Sequence, residues 1–173
     1  MIPTLKEATK LHQANQLDQA EESYLQILKN NPNVSEAFQL LGTLYLQKNN
    51  LEKSEEYLLK YLKVNSKSSL ALNNLGILKK KIKNYEKAEY FFKKNIKINN
   101  HWDSRVNLGN LYLEIKDFKN SLAVFHNLSI EKKDSKVLSG LALSYFMNGK
   151  VPDAIHLFES LINENLYNFD CLF

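Results

Sequence analysis

The sequence predicts an all-α chain built as a linear array of helix hairpins. Three observations carry this. Small residues recur at fixed steps. Gly42, Gly76 and Gly109 follow steps of 34 and 33, and Ala20, Ser54, Ala88, Ser121 and Ala154 follow steps of 34, 34, 33 and 33. A fixed period in this range marks a repeat array. Between these markers the apolar residues fall three and four apart, which is helical spacing. Finally, only 5 Gly and 3 Pro occur in 173 residues, too few for the many tight turns of an all-β fold.

Taken in order, the first unit covers residues 1–34. Pro3 stands near the start of its first helix, where a missing N–H costs little. Leu5, Ala8 and Leu11 share one helical face, and Asn15-Gln16 breaks the pattern. A second helix begins near Asp18, with Ala20, Tyr24, Ile27 and Leu28 as its stripe, and Asn31-Pro32 ends it. The second unit (35–68) carries Phe38, Leu41, Gly42 and Tyr45, a turn at Asn49-Asn50, then Ser54, Leu58 and Leu62. The third (69–101) carries Leu72, Leu75 and Gly76, a turn at Lys83-Asn84, then Ala88, Phe92 and Ile96. The fourth (102–134) has Leu108, Gly109 and Tyr112, a turn at Lys116-Asp117, then Ser121, Phe125 and Leu128. The fifth (135–168) has Leu138, Leu141, Ala142 and Tyr145, a turn at Asn148-Gly149, then Ala154, Phe158 and Leu161. Residues 169–173 read as the start of a further first helix with an apolar, uncapped character. The small residues are expected where the helices of a hairpin cross closely. A bulky residue four positions on (Tyr24, Leu58, Phe92, Phe125, Phe158) is expected to fill the space between units. The third and fourth units are one residue short, which predicts tighter junctions after them.

Composition narrows function. Hydrophobic content of 44% with 24% charged residues suits a globular domain. Net charge is +4, but Arg105 is the only arginine among 23 basic residues. Nucleic-acid sites favour arginine for bidentate and stacking contacts, so no nucleic-acid partner is expected. No apolar run approaches the roughly 18 residues that span a bilayer, and the N-terminus has no signal-peptide core. Neither a membrane nor an oxidising compartment is indicated, Cys171 being the lone cysteine. The expected location is cytoplasmic. His12, His101, His126 and His156 are scattered over different units. They lack metal-ligand spacing, and neither a phosphate loop nor a nucleophile motif is present. No metal, no cofactor and no catalytic residue are expected.

The recurring positions together resemble the tetratricopeptide repeat: a bulky residue, then Leu-Gly, then Tyr on the first helix, and Ala and an aromatic on the second. Departures are Thr4 and Arg105 at the bulky position, Lys79 at the aromatic one, and Asn95 and Ser129 where small or apolar residues belong. The resemblance implies one domain over 1–173. It would be a right-handed superhelical solenoid of about five antiparallel helix-turn-helix repeats plus a C-terminal helical stub. First helices would line a concave groove.

The residues then expected to face that groove are Gln39, Thr43 and Gln47; Asn73, Asn74, Ile77, Lys80 and Lys81; Val106, Asn107, Asn110, Leu113 and Glu114; and Lys136, Ser139, Leu143, Phe146 and Met147. Gln39, Thr43, Asn73, Asn74, Lys80, Asn107, Asn110 and Glu114 form the candidate peptide-binding set. Asn is a mediocre helix former, and its amide can pair with peptide backbone without reading side chains. The compositional alternative is that the chain is rich in Asn and Lys throughout. Asn74 and Asn107 are similar to rungs of the asparagine ladder in O-linked N-acetylglucosamine transferases, which holds peptide backbone. Lys6, Leu40 and Gly140 interrupt that series. The carboxylate clamp of chaperone-binding repeats does not match, since its places fall on Leu5, Thr9, Leu40, Leu70 and Asn74. Two readings follow. One is a non-catalytic interaction scaffold binding a peptide or protein segment, with self-association through the uncapped C-terminal end as a further mode. The other is the N-terminal recruitment arm of a larger enzyme, such as a glycosyltransferase, with catalysis beyond residue 173.

Overall fold

A computed structural model describes residues 2–163 of the chain. These residues form ten α-helices and no strand. In order they are α1 Leu5–Gln13, α2 Leu17–Asn30, α3 Ser35–Gln47, α4 Leu51–Val64, α5 Ser69–Lys81, α6 Tyr85–Asn99, α7 Trp102–Glu114, α8 Phe118–Glu131, α9 Ser135–Met147 and α10 Val151–Asn163. Each of the five repeats thus supplies two helices, as the periodicity predicts. The expected stub at 169–173 lies outside the described residues.

The turns inside the repeats share one device. Asn15, Asn49, Lys83, Lys116 and Gly149 take φ of 59, 58, 58, 63 and 76° at one repeating position. Asn and Gly tolerate this left-handed conformation; Lys does so at a cost. The next residue caps or precedes a helix. Asn50, Asn84 and Asp117 accept the backbone N–H of Lys53, Lys87 and Asn120 at 3.2, 3.2 and 3.3 Å. Thr4, at a position expected to be bulky, instead caps α1. Its hydroxyl accepts the Glu7 N–H at 3.3 Å, and its own N–H donates to the Glu7 carboxylate at 2.8 Å, a reciprocal capping box.

The chain divides into two compact units, Met1–Ile82 and Lys83–Phe173. In the first, α1 packs on α2, α2 on α3, α3 on α4 and α4 on α5, while first helices α1, α3 and α5 also touch in sequence. Its core holds Ala8, Ala20, Tyr24, Ile27, Leu41, Leu44 and Tyr45. Gly42 sits at a close crossing: a Cβ there would lie 2.6 Å from Leu58 Cγ. In the second unit, α6 packs on α7, α7 on α8, α8 on α9 and α9 on α10, and α7 touches α9. Phe125, fully buried, wedges between two glycines. A Cβ on Gly109 would lie 2.7 Å from its ring, and one on Gly140 only 2.4 Å. Gly140 is therefore needed by the next repeat's packing, beyond the recurring small positions.

The junctions that follow the shortened repeats are tight. Only residues 100 and 101 separate α6 from α7, against 31–34 between α2 and α3. Asn95, at an expected apolar position, is fully buried there; its amide donates to Ser104 Oγ at 2.7 Å and its carbonyl accepts from Asn99 at 2.8 Å. Arg105 replaces the bulky residue by forming a two-pronged pair with Glu131 at 2.6 and 2.5 Å, with the Trp102 ring 6.0 Å away.

Candidate functional site

The expected binding residues fall on first helices of both units. In the first unit, α3 carries Gln39 and Thr43 and α5 carries Asn73, Asn74 and Lys80, and the two helices bring Thr43 and Asn74 together. The Asn74 amide donates to Thr43 Oγ1 at 3.0 Å, and the Thr43 hydroxyl donates to the Gln39 main-chain carbonyl at 3.0 Å. Asn73 and Asn74 are 8% and 6% exposed. Close first-helix packing thus encloses them, and Asn74 spends one of its two amide hydrogens inside the protein. Gln39, Thr43 and Lys80 are half-buried. Further along the same face, Gln47 bonds His12 and Asn15, both at 3.1 Å. In the second unit α7 carries Asn107, half-buried, with Asn110 and Glu114 exposed. The Glu114 carboxylate accepts the Tyr85 hydroxyl at 3.0 Å, and this bond raises the Tyr85 phenol above its ordinary pKa. Beside them α9 exposes Phe146 and Met147.

A second constellation escaped the sequence reading. At each of three junctions a glutamate on a second helix takes a hydrogen bond from the following first helix. Tyr45 donates to Glu21 at 2.7 Å, Lys79 to Glu55 at 2.5 Å and Tyr112 to Glu89 at 2.8 Å. Glu21, Glu55 and Glu89 recur at equal steps of 34, the same period as the small residues. The small and apolar positions carry the visible pattern, and this polar series lies between them. Burial, then the bond to Glu21, pushes the Tyr45 phenol up; burial and Glu89 do the same to Tyr112. Burial works to raise Glu21, but bonds from Lys48 and Tyr45 outweigh it and hold the carboxyl below 4.5. Lys93 first, and then Tyr112, hold Glu89 below 4.5 against burial. These pairs register one repeat on the next. Each of these pairings is made within the protein, between consecutive repeats, so this constellation is architectural.

Among the described residues, no group of three or more His, Cys, Asp or Glu side chains is placed to hold a metal ion. No described helix is long and apolar enough to cross a membrane.

A family model described as tetratricopeptide repeat matches residues 5–69. No curated protein matches the chain by sequence. Solved structures do match by fold. The crystal structure of MamA is 20% identical with a TM-score of 0.82, covering 95% of this chain and 96% of MamA. A tetratricopeptide repeat protein from Parabacteroides merdae is 25% identical with a TM-score of 0.79, covering 92% of this chain and 63% of that one. YrrB, described as a TPR protein with an unusual peptide-binding site, is 16% identical with a TM-score of 0.73 and covers 92% and 83%. Residues 5–69 are thus tetratricopeptide repeats by sequence, and the helix pairs that follow carry the chain on in the same fold.

Proposed function

We propose that the chain is a non-catalytic interaction scaffold that holds a peptide or protein segment along its first-helix faces. The observation that carries this reading is the set of amide, hydroxyl and carboxylate groups that the first helices of each unit carry. Gln39, Thr43 and Asn74 are joined by hydrogen bonds, and Asn110 and Glu114 are exposed on α7. Amide side chains offer a donor and an acceptor to an extended backbone. The fold is shared with YrrB, whose description includes a peptide-binding site. On this reading Asn73 and Asn74 shape the face of the first unit, Asn74 orienting Thr43, and Gln39, Thr43 and Lys80 are the residues there that a peptide reaches; on α7 of the second unit those residues are Asn107, Asn110 and Glu114.

The test is a peptide selected from a random library on the full chain, followed by titration of variants. Asn107→Ala with Asn110→Ala is expected to weaken binding at least about tenfold, the loss of two backbone-directed hydrogen bonds. Unchanged affinity in that double variant removes α7 from the binding face.

A further inference from the structure

At three junctions a carboxylate meets the following first helix; at the fourth the sequence removes it. The positions Glu21, Glu55 and Glu89 continue at a step of 33 to Leu122, and Asp18, Glu52 and Glu86 continue likewise to Lys119. The aromatic on the other side is kept: Tyr145 of α9 stands where Tyr45, Lys79 and Tyr112 stand. Tyr45 and Tyr112 are 2% and 6% exposed, and each donates to its glutamate. Tyr145 is half-buried, and among the described residues its hydroxyl has no hydrogen-bond partner. Leu122 and Tyr145 both pack on the cluster of Phe125, Leu128 and Val137, so apolar contact holds the ring without the carboxylate.

The basic groups at this junction are more numerous than the acids. Lys119, His126 and Lys150 line, with Leu122, Ala123 and Tyr145, a recess of about 320 Å³. His126 takes the place of Lys93, which bonds Glu89 at the preceding junction. The Lys150 Nζ lies 5.7 Å from the centre of the Tyr145 ring. Among the described residues no acid lines the recess, and neither Lys119 nor Lys150 is in an ion pair. Asp153 is the counterpart of Lys53, which comes within 4.0 Å of Glu21, but it pairs with neither lysine. The recess thus combines a phenol donor and positive charge, the pair of features that holds a carboxylate at Glu21 and Glu89, with an apolar floor for the methylenes of an acidic side chain. A carboxylate brought by a partner completes the same charge-assisted arrangement.

We infer that this recess is a docking site for a glutamate or aspartate side chain from an acidic segment of a partner protein, with the Tyr145 hydroxyl donating to the carboxylate between Lys119 and Lys150. None of its residues belongs to the candidate set on the first-helix faces, so the two readings fail separately. The probe is a fluorescein-labelled hexaglutamate peptide, titrated with the full chain at low ionic strength and read by anisotropy. Lys119→Glu with Lys150→Glu is expected to weaken binding at least about tenfold. Lys63→Glu with Lys97→Glu, exposed lysines outside the recess, makes the same change in net charge and should alter affinity by less than about twofold. Tyr145→Phe removes only the hydroxyl and should weaken binding about threefold or more. Leu122→Glu returns the carboxylate of the earlier junctions to its place; it should exclude the peptide while helicity by circular dichroism is kept. Failure of hexaglutamate to bind overturns the inference, as does an equal loss in the two charge-reversal pairs. Displacement of the probe by inorganic phosphate more readily than by acetate, at equal ionic strength, overturns the choice of a carboxylate. A gain in affinity of about tenfold in Glu164→Gln with Asp170→Asn assigns the recess to the residues that follow α10, and overturns the partner.

Discussion

At the α4–α5 junction the group reaching back to the preceding helix is an ammonium, whereas at α2–α3 and α6–α7 it is a phenol. Lys79 is 5% exposed and pairs with Glu55. Tyr45 and Tyr112 meet Glu21 and Glu89 in the same way. The phenol junctions each recruit a lysine from elsewhere: Lys48 bonds Glu21 at 2.5 Å, and Lys93 bonds Glu89 at 2.6 Å. At the middle junction the corresponding places hold Ile82 and Leu59. Every glutamate of the three therefore has a cation. Where the repeating aromatic is kept, the cation comes from outside; where it is lost, Lys79 combines both jobs. A partly buried carboxylate needs a charge partner more than it needs a particular neighbour.

This comparison is broken most severely by Lys79→Ala. It leaves Glu55 without its cation and opens a cavity. We expect a loss of about 2–3 kcal/mol, below the usual range for a buried pair because Glu55 is a third exposed. Chemical denaturation reads it, and a loss below about 1 kcal/mol would show that the pair is dispensable. Lys79→Tyr tests the rule more sharply. Alone it should recover only part of the loss, and adding Leu59→Lys, the counterpart of Lys93, should recover most of the rest. A smaller effect is expected for Tyr112→Phe, about 1–2 kcal/mol for one hydrogen bond to a carboxylate, because Lys93 still serves Glu89.

The smallest effect is in acid. Glu21 and Glu89 are held below 4.5 in the folded chain. A depressed folded pKa stabilises above the unfolded value, and that contribution fades as pH falls through the folded one. Melting temperature should therefore drop more steeply below about pH 4.5 in the parent chain than in Glu89→Gln. Parallel curves for the two would remove Glu89 from the acid response.

Much of this architecture was legible from residue order. Ala20, Ser54, Ala88, Ser121 and Ala154 marked the period, and the turn residues Asn15, Asn49 and Gly149 fell at one left-handed position. Such signals are local or strictly periodic, so they survive in one dimension. The departures were visible as departures only. Arg105, Asn95 and Lys79 broke the pattern, yet each is satisfied by a partner distant in the chain or on the neighbouring helix: Glu131, Ser104 and Glu55. The candidate face divides in the same way. That Asn73 and Asn74 share α5 follows from spacing, but their enclosure, and the bond from Asn74 to Thr43, depend on how closely α3 and α5 approach.

By itself, then, the sequence determined an all-α array of five helix pairs, where each pair turns, and which stripe of each helix is apolar. Hydrophobic period and turn chemistry act over short stretches, and the repetition multiplies them. Only the tertiary structure decided which polar groups are consumed in holding the repeats together. That choice rests on distances of about 3 Å between side chains roughly one repeat apart, and a periodic pattern does not encode it.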